Sequence, residues 1–250
     1  MNTIISAVKA SFKKNFVVKI NGFFVVLDTL FDFVSIVLFW AAMSAFSDDP
    51  VWSEIYPVFI GCAIISGAVS NLFVGSGFIG NLIISGDLDS YLLKPYPPML
   101  LIYLERANFL RVFIGFLGGL FVLFKFTPCE YMAKIPLAIL TVALAMITIE
   151  FLGLAFSLLT FKFGKVDRIK GILESYKMMV NYPTDFFGKT LRRIFTAVIP
   201  VSFVATVPTL EIYGKVSHKI YIFLFISLIA SYFITAFLWK EGLKFYDSKN

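Results

Sequence analysis

Asp28 and Asp32 stand one helical turn apart inside a long apolar run, and Glu150 lies alone within another. An acid carried into a bilayer costs about 2.5–3.5 kcal/mol at the centre of a span and less near its ends, so each needs a reason. Two readings stand for these three. Either they form a polar wall for a cationic or polar substrate, or a proton relay, or a helix-start dipole and a nearby Lys or Arg neutralise them. Other chemistries fail on spacing. No GxxxxGK[ST] occurs, so the chain has no phosphate-cradling loop and does not itself hydrolyse ATP in the P-loop manner. His218 is the only histidine, and no Cys/His/carboxylate set has ligand spacing; a zinc protease and a haem protein are excluded, and His218 reads as an interfacial polar residue. Cys62 falls in an apolar run and Cys129 in a loop, so no disulfide between them is expected. An intramembrane aspartyl protease needs a G-x-G-D pattern, whereas Ile84, Ser85, Gly86 and Asp87 stand here. No catalytic residue and no metal site is assigned.

The elements that carry these acids are membrane spans. The stretch between Lys219 and Lys240 holds no charge, and a helix rising 1.5 Å per residue needs about 20 such residues to cross a 30 Å hydrocarbon core. The composition agrees, at 59% hydrophobic and 15% charged residues. The fold expected is an all-α integral membrane protein, one domain over residues 1–250, with six transmembrane helices preceded by an amphipathic interfacial helix over 1–21. In that first segment Ile5, Val8, Phe12, Phe16 and Ile20 recur at helical steps, with Lys9, Lys13 and Lys14 off the stripe. It lacks the cleavage site of a removable signal peptide, so the first span reads as its own insertion signal. The spans follow over 23–46, the charge-free run between Glu54 and Asp87, 108–126, 135–161 and 220–239. Glu105 and Arg106 belong to an earlier interfacial helix of the third span, and Arg111 is placed to snorkel to the headgroups.

Orientation comes from charge. Lysines precede the first span, whereas the loop after it carries only acids, Asp48, Asp49 and Glu54. The positive-inside bias therefore puts both termini in the cytoplasm. The fifth span has two readings. Residues 194–210 are charge-free but contain Pro200 and Pro208; alternatively the chain crosses near 169–182, and 183–210 dips back as a re-entrant outer-face segment before the last helix. The glycines of the second span, among them Gly61 and Gly75, either permit close helix packing, the reading preferred, or allow tilt and local distortion.

The most specific local signal is GDLDSYLLKPYPP over 86–98. It resembles the G-x-L-D-x-x-L-L-[KR]-P loop of permease subunits in the type-2 class of ATP-binding-cassette (ABC) exporters, through Gly86, Leu88, Asp89, Leu92, Leu93, Lys94 and Pro95. The segment NYPTDFFGKTLRRIFTAVIPVSFVATVP is similar to that group's Y-P stretch and I-P-x-x-F-x-x-x-x-P element, at Tyr182, Pro183, Ile199, Pro200, Phe203 and Pro208. Trp239, Gly242, Leu243 and Tyr246 resemble its W-x-x-G-L-x-x-Y ending. The resemblance implies an efflux permease in a bacterial or archaeal cytoplasmic membrane, paired with a second copy or a paralogous permease. It also implies a cytosolic P-loop ATPase subunit that holds the ATP and Mg, with 86–98 as the coupling segment and 183–210 at the outer face. Physically, Gly86 ends a span, the leucines recur at helical spacing and are expected to face a partner groove, and Pro95, Pro97 and Pro98 stop the helix. Asp32, Ser66, Ser70, Asn71 and Glu150 are the candidate pathway residues.

The rival reading is a proton-coupled carrier or channel without an ATPase, using Asp28, Asp32 or Glu150; a subunit that only anchors a cytosolic partner is a third. Cargo is not legible, because 18% aromatic residues suit lipid contact as well as hydrophobic cargo. The net charge of +6 is accounted for by flanks facing anionic lipid, with no call for nucleic acid.

Overall fold

The computed structural model describes Lys9, Lys13 and residues 19–46, 50–164 and 182–246. The expected interfacial helix over 1–21 and a crossing near 169–182 lie almost wholly outside these residues. Among the described residues the fold is all helical, and four stretches are long and apolar enough to cross a membrane: Gly22–Ala42, Phe109–Phe126, Cys129–Phe163 and His218–Phe245.

The first of these belongs to α1, Lys19–Phe46, an uninterrupted apolar helix whose large side chains Phe23, Phe31 and Leu38 remain exposed. The second expected span is divided. Helix α2, Pro50–Ser70, ends in tight turns in which the N–H groups of Asn71, Leu72 and Phe73 donate to carbonyls three residues back, and α3, Ser76–Ser85, resumes beyond them. The expected third span is whole as α6, Phe109–Phe126; the earlier helix carrying Glu105 and Arg106 is α5, Pro98–Arg106, set off from it by a break at Ala107 and Asn108, with the short α4, Asp89–Leu92, before them. The two interruptions face each other: the N–H of Asn108 donates to the carbonyl of Asn71 at 3.0 Å. Broken backbone in a membrane must be satisfied against protein, and here each break serves the other. Asn108 also caps α6, its side chain accepting from the Arg111 N–H at 3.3 Å.

Helices α2 and α6 pack closely because glycines line the seam. A Cβ on Gly119 would lie 3.0 Å from the Gly61 carbonyl and 3.1 Å from the Ile65 nitrogen, and one on Gly115 would strike Ala68 at 2.8 Å. Gly115 and Gly119 form a G-x-x-x-G face, while Phe113, Leu117, Phe121 and Phe124 occupy the exposed side of the same helix. The close packing expected of the second span's Gly61 is therefore present, and its counterpart sits on the third.

The central helix is α7, Ile135–Leu158, apolar on all faces and continued by α8, Thr160–Phe163. It packs against α2, α3 and the last long helix, α11, Tyr221–Gly242; Thr235 donates across this seam to the Phe151 carbonyl at 2.8 Å. Between α8 and α11 the described chain forms α9, Lys189–Ala197, and α10, Thr206–Ile212, joined by a single turn over Val201–Phe203. Residues 194–210 are thus not one continuous helix. Pro200 and Pro208 remove backbone donors, and the stretch around them is buried rather than lipid-facing.

Two buried clusters mark the ends of this bundle. One joins Trp40, Ile55, Phe59, Ile135 and Phe203. The other joins Ile79, Leu88, Tyr91, Ile102 and Leu158, with Phe161, Trp239 and Tyr246 against it.

Candidate functional site

A cavity of about 480 Å³ lies among α1, α2 and α6, with Tyr182 in its lining. Helical spacing brings Asp32, Ile36, Phe39 and Trp40 of α1 onto its wall, opposite Ala63 and Gly67 of α2, Asn71 in the turn after it, and Arg111 and Gly115 of α6. The two acids of α1 are treated differently, and of them only Asp32 belongs to the lining. Asp28 forms a half-exposed ion pair with Arg111 across the α1–α6 seam. Asp32, one turn on, is exposed and has no hydrogen-bond or ion-pair partner among the described residues. At the far end Trp40 is buried against Tyr56 and Phe59, with the Tyr182 ring 5.5 Å from that of Phe39.

Of the remaining candidate pathway residues, Asn71 lines the cavity and donates from Nδ2 to the Gly67 carbonyl at 2.7 Å. Ser66 is buried and Ser70 half-buried, each bonding back to its own helix, at Ala63 and Gly67. Neither belongs to the lining. Glu150 is also elsewhere, buried on α7 beside the break between α2 and α3, where Ser76 Oγ donates to its Oε2 at 2.9 Å. A second buried acid, Glu211 on α10, accepts from Tyr221 at 3.1 Å and faces the exposed His218 at 3.9 Å. Nothing local in the sequence singled out Glu211, whose burial depends on the fold of the Pro-containing stretch. Among the described residues no group of His, Cys, Asp and Glu is arranged to hold a metal ion.

The segment 86–98 closes the opposite end of the bundle. Gly86 takes φ 79°, the left-handed conformation that ends α3 and that a side chain would disfavour. The leucines then diverge. Leu88 is fully buried, which corrects the expectation that all three leucines face outward; Leu92 is part-exposed and Leu93 is 87% exposed. The α4 turn is fixed from behind by Glu105 of α5, which accepts from Tyr91 at 2.7 Å and pairs with Lys94 at 3.2 Å. Pro95 lies on the exposed return, and Pro97 and Pro98 start α5 rather than merely ending α4. The chain's tail meets the same segment. Tyr246 donates to the Gly86 carbonyl at 3.0 Å, and the backbone of Gly242 lies directly on the Phe161 ring. Burial, and after it the acceptor Glu105, pushes the Tyr91 phenol above its ordinary value; burial, and after it Asp89, does the same to Tyr246. Two motifs more than a hundred residues apart in the chain thus form one structure.

A family model described as ABC-2 family transporter protein matches residues 22–250. No curated protein and no solved structure matches the chain.

Proposed function

Because this chain belongs to the ABC-2 family of transporter membrane proteins, we propose that it is the path-forming permease subunit of an ATP-driven exporter. It is a multi-pass membrane protein without an ATP-binding loop of its own. Hydrolysis, with ATP and Mg, falls to a separate cytosolic P-loop subunit, and the path lies between two permeases, either two copies or a pair of paralogues. The membrane is the bacterial or archaeal cytoplasmic one, with both termini inside. The family match over nearly the whole chain carries this reading.

The coupling role of 86–98 is supported by its construction. Leu88 and Tyr91 lock the turn into the membrane core, while Leu93 projects from it with no cover among the described residues. A displacement imposed at Leu92 and Leu93 therefore passes to α3 through Leu88, to α5 through Glu105 and to the tail of α11 through Tyr246. Nucleotide does work through such a link only if it favours one arrangement of the permease pair over another.

Six crossings follow if α2 with α3 counts as one and another lies between Gly164 and Tyr182. What supports the latter is that Phe163 ends a helix packed on the coupling cluster, whereas Tyr182 packs on Phe39 and Trp40 near the far end of α1. On that route 183–210 belongs to the outer face.

The test is co-purification in mild detergent of an ATP-hydrolysing subunit with the parent and with a Leu92→Asp, Leu93→Asp variant. Both positions are exposed, so the variant should keep its elution profile and lose the ATPase. Intact dimeric parent without any ATPase sinks the exporter reading and leaves the proton-coupled carrier to be tested.

A further inference from the structure

The cavity beside α1 has an uneven charge balance. Arg111 brings one positive charge to its wall, and Asp28 already neutralises it. What remains is the carboxylate of Asp32, on the cavity wall between Thr29 and Ser35 and unpartnered among the described residues. Two turns along the same face, about 12 Å at 1.5 Å per residue, the wall turns aromatic with Phe39, Trp40 and Tyr182. Trp40 is held by Tyr56, Phe59 and Phe186, so this end is a fixed surface. At about 480 Å³ the space lies within the range of small-molecule sites.

We propose that this cavity binds an amphiphilic monocation, its charged head at Asp32 and its apolar body against Phe39, Trp40 and Tyr182. The assignment rests on the exporter reading for its meaning as cargo, but its physics is local. A neutral occupant leaves Asp32 uncompensated in a desolvating site, and an anion adds repulsion to that cost. A monocation supplies the missing charge, and the aromatic faces attract both its apolar body and any positive charge spread over it. A dication has only one acid to meet. Cargo would enter head-inward, because Asp32 lies nearer the N-terminal, lysine-flanked end of α1 than Trp40 does.

Two probes of nearly the same size and shape but opposite charge separate this from plain hydrophobic uptake: tetraphenylphosphonium and tetraphenylborate. Saturable binding of each to the purified full-length protein is measured against protein-free micelles. The parent should favour the cation by about tenfold or more, and Asp32→Asn should lose about tenfold in cation affinity while Glu130→Gln, which removes one exposed acid outside the cavity, leaves it unchanged. Equal binding of the two ions to the parent overturns the proposal without recourse to any variant. So does an Asp32→Asn protein with the parent's elution profile and the parent's cation affinity. Because neither measurement involves the ATPase, a chain that co-purifies its ATPase yet ignores charge loses this cargo assignment and keeps the exporter reading.

Discussion

Asp28 and Asp32 share a helix face and a residue type, yet among the described residues only Asp28 has a cation, and the difference lies on another helix. Arg111 sits one turn into α6, where the capping by Asn108 fixes the helix start and the glycine seam brings α6 close to α2. The local sequence showed that two acids needed a reason. It did not show which one Arg111 would serve, because that depends on the rotation of α6 against α1. The pair is half exposed, so its worth lies between that of a surface bridge and a buried one. Arg111→Ala should lower thermal stability in detergent by about 1–2 kcal/mol, by leaving Asp28 unpaired in an apolar wall. Adding Asp28→Asn should recover most of that loss, and the double-mutant cycle measured by thermal unfolding gives the coupling. Additive losses would mean that the two side chains do not interact.

Among the elements, helix ends were legible where a single residue type decides them. Gly86, Asn108 and Pro98 each mark a boundary by a backbone or capping preference that needs no tertiary partner. The interruption after Ser70 was not legible, since the apolar run continues across it and hydropathy does not see direction. Gly75 was visible, but what makes it necessary is the Tyr103 backbone, 3.1 Å from where its Cβ would stand. The same limit hid the G-x-x-x-G face of α6, which reads as ordinary span composition until α2 is laid on it. This seam is open to a direct test. Gly119→Ala places a methyl against backbone atoms of Gly61 and Ile65, which cannot rotate away, so the helices must separate. The expected loss is about 1–3 kcal/mol, read as a lower melting temperature and a smaller yield of monodisperse protein. Gly77→Ala, whose methyl meets nothing within 4 Å, should leave both unchanged or slightly improved.

At the scale of the whole molecule, the contacts at each end of the bundle constrain how the chain is threaded. Tyr246, just past the end of α11, bonds to Gly86, so α11 finishes beside the 86–98 segment. Its first residue, Tyr221, lies at the other end beside Thr141, and just before it the Tyr213 ring is tilted against Tyr131 at 5.3 Å and a Cβ on Gly214 would meet Lys134. Helix α7 begins beside that same Lys134 and finishes, through Leu158 and Phe161, in the coupling cluster. The chain leaves α8 at one end and enters α11 at the other, which supports the proposed fifth crossing. Helices α9 and α10 are too short to make it, at 9 and 7 residues against the roughly 20 a crossing needs. The charge rule pointed the other way, because Lys189, Arg192 and Arg193 favour the cytoplasm, but that rule is a bias summed over the chain and packing at the ends is local. The threading predicts accessibility to a membrane-impermeant maleimide in right-side-out vesicles. Native Cys129 is exposed and should react without permeabilisation, while the buried Cys62 stays silent. With Cys129→Ser as background, Lys189→Cys should label from outside and Leu93→Cys only after the membrane is opened. If Lys189→Cys and Leu93→Cys label from the same side, no crossing lies between Gly164 and Tyr182, and 183–210 is not an outer-face segment.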